Sequence, residues 1–518
     1  MEMFKNPILP GTYPDPSICR VGADYYLVTS SFCYYPGIPI FHSRDLVHWR
    51  QLGHVLDRPS QLNLDGVECD QGIFAPTIRY HEGVFYVITT NVGQGGNFIV
   101  TTKDPHGPWS DPFWLPEAPG IDPSLFFDDD GRLYYTGTRP NPTGTRYYGD
   151  WEIWLQELDL EKMRLVGKDY PLWKGAMTGA VWPEGPHLYK INGSYYLMIS
   201  EGGTGRHHAL TIAKSTGAVT GPYVGNPANP ILTHRHLGRD YPIVNVGHGD
   251  LVHTENGEWW LVALGSRPCG GYYRNLGRET FLVPVVWEDG WPVVSPGKGM
   301  ILPEYPSPQL PICEDIGAAC NHFEEPSLGL EWIFLRTPRE DFWSLQERPG
   351  YLRLKLRRQE ITKLGNPSFI GRRQQHHVFT AAMVMEFSPR TEQEEAGVVL
   401  FQNESFHYRF VVSNRRDDRV IRLIKRAAGE EEMVGEEIFP PIQTYLLVQA
   451  RGQEYSFYYG EHDRGLYPLG GPVDGRILST DLAGGFLGVF IGLYACSKED
   501  YGGSYNHVDF NWFEYKGL

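Results

Sequence analysis

Three short acidic turns hold the chemistry this sequence can perform: Tyr13-Pro14-Asp15-Pro16-Ser17, Gly120-Ile121-Asp122-Pro123-Ser124 and Trp182-Pro183-Glu184-Gly185-Pro186. Each sets one carboxylate in a Pro-flanked turn just ahead of an aromatic, strand-like segment. Proline fixes its own φ and drives the preceding residue toward extended backbone, so Asp15 and Asp122 are not expected inside helices. A carboxylate held this stiffly suits general acid or base work, which depends on fixed geometry. A single Asp-Pro pair is an ordinary turn initiator. Three of them in register with a repeat require another explanation.

The register emerges when the strand pairs are aligned. Tyr25-Tyr26, Phe85-Tyr86, Leu133-Tyr134, Tyr195-Tyr196 and Trp259-Trp260 each follow a Gly or polar turn and head an apolar run. About ten residues upstream of each, the length of a strand and its turn, stand Asp15, Phe74-Ala75, Asp122, Glu184 and His248. The repeat recurs every roughly 50 to 65 residues, the length of one propeller blade with a loop insertion. Inner strands of a propeller all start at one end of the central channel. The pattern therefore predicts five blades whose equivalent positions bring two Asp, one Glu, one His and an aromatic to the channel mouth.

A length of 518 residues predicts two domains. After the hairpin signal of Val285 to Val294, with Asp289-Gly290 at its turn, comes the proline-rich run Pro303-Glu304-Tyr305-Pro306-Ser307-Pro308-Gln309-Leu310-Pro311. Alternating strands such as Tyr351-Leu352-Arg353-Leu354-Lys355-Leu356 follow it. These features predict an all-β chain: a five-bladed β-propeller over 1–303, a linker over 304–322 and a two-sheet β-sandwich over 323–518. Glu430-Glu431-Glu432 and Arg415-Arg416-Asp417-Asp418-Arg419 read as solvated loops, and Asp128-Asp129-Asp130 as a hairpin turn.

Aromatics make up 14% of the chain, with 59 Gly and 40 Pro supplying turns, a mixture that suits all-β folds whose rings either stack on sugars or fill aromatic-rich cores, which look the same by composition. The net charge of −16 argues against nucleic acid or an anionic membrane as partner. The seven cysteines include no CxxC pair, so neither a zinc ribbon nor a redox motif is expected. Free thiols, and an N-terminus that runs almost at once into Asn6-Pro7-Ile8-Leu9-Pro10, suggest a cytoplasmic protein. The oligomeric state is left open, a homo-oligomer included.

The Pro-Asp-Pro-Ser, Ile-Asp-Pro-Ser and Glu-Gly-Pro-His motifs resemble those of glycoside hydrolase family 43. So do Ser43-Arg44-Asp45-Leu46-Val47-His48-Trp49, Gly72-Ile73-Phe74-Ala75-Pro76, Gly247-His248-Gly249-Asp250 and Gly277-Arg278-Glu279-Thr280. The ordered set is similar to the two-domain β-xylosidases and α-L-arabinofuranosidases across nearly the whole chain. The resemblance implies Glu184 as general acid, Asp15 as general base and Asp122 as a third carboxylate that raises the acid's pKa. It implies inversion at the anomeric carbon, sugar contacts by Arg278, and pocket walls from Phe32 and Phe74, the latter position often Trp in relatives. It also implies calcium at His248, held largely through water, and a lectin-like jelly roll that closes the pocket. The Gly- and Tyr-rich loop 496–506 is the expected closing element, with Tyr501 or Tyr505 lining the leaving-group site.

The function expected is an exo-acting glycosidase that removes single pentoses, β-D-xylose or α-L-arabinofuranose, from xylo- and arabinoxylo-oligosaccharides. A fructan hydrolase would need a nucleophilic Asp in a Trp-x-Asn-Asp-Pro setting, which Gly11-Thr12-Tyr13-Pro14-Asp15 does not provide. A non-catalytic carbohydrate-binding propeller-lectin protein would suit the aromatics but has no use for three aligned carboxylates. Nothing specific favours a structural scaffold.

Overall fold

Five four-stranded antiparallel sheets follow one another along the chain, each a meander, the first interrupted by the short strand Tyr34–Tyr35. Their innermost strands are Ser17–Val21, Gly72–His81, Ile121–Phe127, Glu184–Ile191 and Val244–His253. The second strand of each sheet is the aromatic-headed run, for example Asp24–Val28 and Trp259–Ser266. Five radial sheets of this kind form a β-propeller. The computed structural model describes residues 2–177, 179, 181–311, 320–416, 418–498 and 505–518.

The ring is strapped by its N-terminal segment. Met3–Lys5 pairs with Glu304–Pro306, and Leu9 bridges Thr280 in the last blade. Part of the proline-rich run is thus a strand tied to the chain's start. The last blade ends in the hairpin of Glu279–Glu288 and Trp291–Val294. Its two turn residues, Asp289 and Gly290, have φ of 50° and 77°, the left-handed pair that a type I′ turn requires.

The C-terminal half is a sandwich of two large sheets. One edge strand of the first comes from the propeller: Tyr34–Tyr35, in the first blade, pairs with the Ile333–Leu335 strand. Packing continues the exchange. One hydrophobic cluster contains Val28, Phe32, Ile73 and Phe98 of the propeller together with Leu352, Phe369, Val398 and Phe490 of the sandwich. The two halves therefore share apolar core.

The acidic run is strand rather than loop, while the basic run straddles a hairpin turn at Arg416. Glu430–Ile438 is an edge strand paired with Asp418–Ala427, placing Glu432 opposite Lys425 and Glu431 opposite Arg426. Opposite charges facing across the ladder stabilise the pair, and charge on an edge discourages pairing with another chain. Arg415 and Asp418 face each other across the preceding hairpin. Asp128 lies in a turn, as expected, but is not idle: it accepts hydrogen bonds from Lys190 (2.6 Å) and Tyr195 (2.7 Å) of the next blade.

Helix is confined, among the described residues, to a 3₁₀ turn over Gly475–Leu478 and a single α-turn over Thr480–Ala483. Gly484 ends the latter with φ 77°, a position where glycine avoids a Cβ clash. The chain then projects from the sandwich into the propeller as a short finger. Asp481 pairs with Arg274 (2.9 Å), and the Gly488 N–H donates to Thr12 Oγ1 (2.9 Å). A Cβ on Gly488 would lie 2.4 Å from the Leu276 carbonyl carbon, so the close docking requires glycine there.

Candidate active site

Four of the five inner strands are irregular where they start, and Ser17–Val21 pairs without a slip. The pairing slips between Phe74 and Thr77, Ile121 and Ser124, Glu184 and His187, and around Gly247. Such bulges re-aim side chains next to active sites. Phe74, Asp122 and Glu184 lie within or at the edge of these slips, and His248 follows Gly247. Asp15 comes from the loop just before its strand.

The proline argument fails in one respect. Asp15 and Asp122 are not extended but left-handed, with φ of 56° and 52°. Phe32 (51°), Trp182 (47°) and His248 (35°) share that region. A non-glycine residue there costs about 1–3 kcal/mol and persists only where its surroundings over-determine it. At Gly120, two residues before Asp122, a Cβ would sit 1.7 Å from the Thr138 carbonyl oxygen. That contact holds the backbone of this turn against the neighbouring strand.

The convergence yields a pocket of about 320 Å3. Asp15, Asp122, Glu184, His248, Arg278, Phe32 and Phe74 all line it. Arg278 grips Asp15 with two nitrogens, Nη1 to Oδ1 at 2.8 Å and Nη2 to Oδ2 at 3.4 Å. Ser30 Oγ donates to Asp15 Oδ2 at 2.6 Å, and His248 Nδ1 stands 3.9 Å from Oδ1. Asp122 accepts the Gly185 N–H at 3.1 Å, which ties it to the backbone beside Glu184. His248 donates its own N–H to Ser200 Oγ at 2.6 Å, and its ring would touch any Cβ on Gly185.

These surroundings drive the carboxylates apart electrostatically. Burial pushes Asp15 up, but Arg278, His248, Ser30 and His208 outweigh it and hold the group below its ordinary value of 3.8. Glu184 has no hydrogen-bonded cation among the described residues. Burial first, then the charges of Asp122 and Asp15, raise it well above 4.5, with Arg278 opposing. Asp122 is pushed up to about 6 by burial and Asp15, against His248. Thus loss of solvation contributes more to keeping the Glu184 proton than the neighbouring charge that the sequence suggested.

Of the two tyrosines expected at the closing loop, one is shown not to take part. Tyr505 is 90% exposed and does not line the pocket, and Tyr501 lies outside the described residues. Phe486, at the finger's tip, does line the pocket. Its ring lies 6.1 Å from both Phe32 and Phe74, and Arg278 sits 5.4 Å from its centroid. Ring faces and guanidinium attract each other in such geometry. Sequence reasoning passed over Phe486, although the string Gly484-Gly485-Phe486-Leu487-Gly488 signals a tight turn bearing a single large side chain. It also left Tyr148, Trp151 and Ser30 unassigned. Tyr148 packs edge-on against Trp182 at 5.0 Å, and both line the pocket.

Among the described residues no group of three His, Cys, Asp or Glu could hold a metal ion. Asp250, behind the channel wall, is already engaged by Arg79, Ser17 and Tyr189. Calcium prefers six to eight oxygen ligands, and the described acidic and imidazole side chains form no such cage. The donors present fit only an ion with His248 as its protein ligand and water elsewhere.

Comparison with known proteins agrees with this geometry. Residues 4–292 match the model of glycosyl hydrolases family 43, and residues 320–516 match a β-xylosidase C-terminal concanavalin A-like domain. A xylosidase/arabinosidase of Butyrivibrio fibrisolvens is 49% identical over 99% of both chains. A non-reducing end α-L-arabinofuranosidase of Bacteroides ovatus is 41% identical over 100% of this chain and 95% of its own. The crystal structure of a xylan β-1,4-xylosidase from Bacillus halodurans superposes with a TM-score of 0.93 at 36% identity, covering 99% of this chain and 100% of that one. With its bulge-borne carboxylates, its five blades and its sandwich, the chain belongs to glycoside hydrolase family 43.

Proposed function

We propose that this enzyme removes single pentoses, β-D-xylose or α-L-arabinofuranose, from the non-reducing ends of xylo- and arabinoxylo-oligosaccharides, with inversion. One observation carries the reading: three carboxylates from three blades meet in a small pocket that Phe486 walls on one side. A volume of about 320 Å3 is at the low end for ligand sites and suits a terminal sugar rather than a polymer groove.

Asp15, ionised and gripped by Arg278, is the general base that takes a proton from the attacking water. Glu184, which retains its proton, gives it to the leaving oxygen as the glycosidic bond breaks. Asp122 tunes and positions Glu184 through its charge and its bond to the Gly185 N–H. Phe32, Phe74 and Phe486 offer apolar faces to the sugar's C–H groups, while Arg278 reaches its hydroxyls. The relatives named above include both xylosidases and arabinofuranosidases, which supports leaving both pentoses in the reading. No relative supports the non-catalytic alternative.

Rates on p-nitrophenyl xyloside and arabinofuranoside test the activity and rank the two sugars. Early proton NMR on xylobiose tests the stereochemistry: α-xylose as first product supports inversion, and β-xylose overturns it. Calcium at His248 would add positive charge beside the carboxylates. A rate that falls with EDTA and returns with calcium supports it, and an unchanged rate removes it.

A further inference from the structure

Behind Phe486 the molecule has a second cavity, of about 540 Å3. Its walls come from the propeller loop at 68–70, the sandwich segments 362–364 and 402–406, and the finger at 483–487. Phe486 lines both this cavity and the catalytic pocket. Nothing in the proposed mechanism uses the second space.

Its lining is that of a saccharide site rather than of a crevice left by imperfect packing. Glu68, Asp70, Gln402, Asn403 and Glu404 present planar polar groups, and Phe406 supplies a partly exposed ring. Several of these groups are held in place. Glu404 pairs with Arg336, a buried arginine, and accepts from Cys69 Sγ at 3.2 Å. Gln402 is only 2% exposed, and its Nε2 donates to the Leu487 carbonyl at 2.9 Å. Its Oε1 has no hydrogen-bond partner among the described residues. A buried amide oxygen left unpaired is costly, and such groups in folded proteins are normally satisfied. Gln402 lines the cavity, and a turn of its amide that brought this sealed oxygen to the wall would let the hydroxyl of a bound ligand satisfy it. A cation is a poor occupant, since among the described residues no three carboxylates, imidazoles or thiols are placed to hold a metal. Fixed carboxylates and amides around a partly exposed aromatic ring match the vicinal hydroxyls and C–H face of a neutral sugar.

We propose that this cavity is a second, non-catalytic saccharide site that takes a pentose unit or a short pentose oligomer. The ligand class rests on the pentoside reading of the neighbouring pocket. Because Phe486 forms part of both walls, a sugar bound here would bear on the finger that closes the catalytic pocket.

Equilibrium dialysis of labelled xylobiose against the Glu184→Gln full-length protein counts the sites. Ser405→Trp and Thr362→Trp, each placing a large ring in the cavity wall, block the second one. Each is also made with Glu184 intact, and a variant is used only where it keeps the parent's rate on the p-nitrophenyl glycoside. The expected result is two xylobiose per chain in the parent and one in each blocked variant. Two that survive both substitutions, or one that both leave in place, overturn the second site alone. One that both substitutions remove keeps the second site and overturns the xyloside reading of the catalytic pocket. No binding at all overturns both.

Discussion

Phe486 of the sandwich stacks on Phe32 of the propeller, with ring centroids 6.1 Å apart and planes 26° apart, and its carbonyl accepts from Arg278 Nε at 3.4 Å. The arginine that grips the proposed base is therefore steadied by a residue more than two hundred positions away in sequence. Phe486→Ala should remove one pocket wall and loosen Arg278 together. We expect kcat/KM on xylobiose to fall by about tenfold or more, equivalent to about 1.4 kcal/mol. Steady-state kinetics decide the matter, and an unchanged value would show that the ring does not contribute to the pocket.

Asp15→Asn and Glu184→Gln should each cost at least the ~10²–10⁴-fold typical of general acid–base catalysis while leaving the fold intact. The two losses should differ with the leaving group. A nitrophenolate departs with little protonation, so Glu184→Gln should lose less on the aryl glycoside than on xylobiose, whereas Asp15→Asn should lose similarly on both. Parallel rate measurements on the two substrates test this; equal losses for Glu184→Gln would count against its role as acid.

The pH profile should be a bell. Rate rises as Asp15 ionises, on a limb below pH 3.8 because that carboxyl is held low. It falls as Glu184 loses its proton, on a limb well above pH 4.5. Asp122→Asn removes a negative neighbour that favours the protonated acid, so the upper limb should move to lower pH. Asp122, pushed up to about 6, is still protonated and uncharged where Asp15 titrates, so the lower limb should stay. Measured kcat/KM across pH decides it, and an upper limb that stays in place or rises would sink the tuning role.

How much of this was legible in the sequence depends on the range of the forces involved. The register of Asp15, Asp122, Glu184 and His248 could be read because turn residues and strand periodicity are local signals. The left-handed backbone at Asp15 and Asp122 could not. Proline's local preference is for extended geometry, and packing around the channel mouth overrides it. Phe486 was missed because its contacts join distant parts of the chain, and Tyr- and Gly-rich residues 496–506 looked more like a binding loop. Glu430-Glu431-Glu432 was read as loop because its charges resemble a solvated tail, although Glu431 and Glu432 are matched by Arg426 and Lys425 on the facing strand.

The propeller should not survive alone. Truncation after Pro303 would remove Glu304–Pro306, the partner of Met3–Lys5 in the N-terminal strap. It would leave Tyr34–Tyr35 without the Ile333–Leu335 strand it pairs with. Phe32, Ile73 and other members of the shared core would face water on one side, and a large exposed apolar patch drives aggregation. The finger carrying Phe486 would go as well. The expected result is an insoluble or inactive fragment, checked by sedimentation and by rates on xylobiose. If residues 1–303 are soluble, folded and as fast as the full chain, the sandwich is a dispensable appendage and the closing role of Phe486 falls with it.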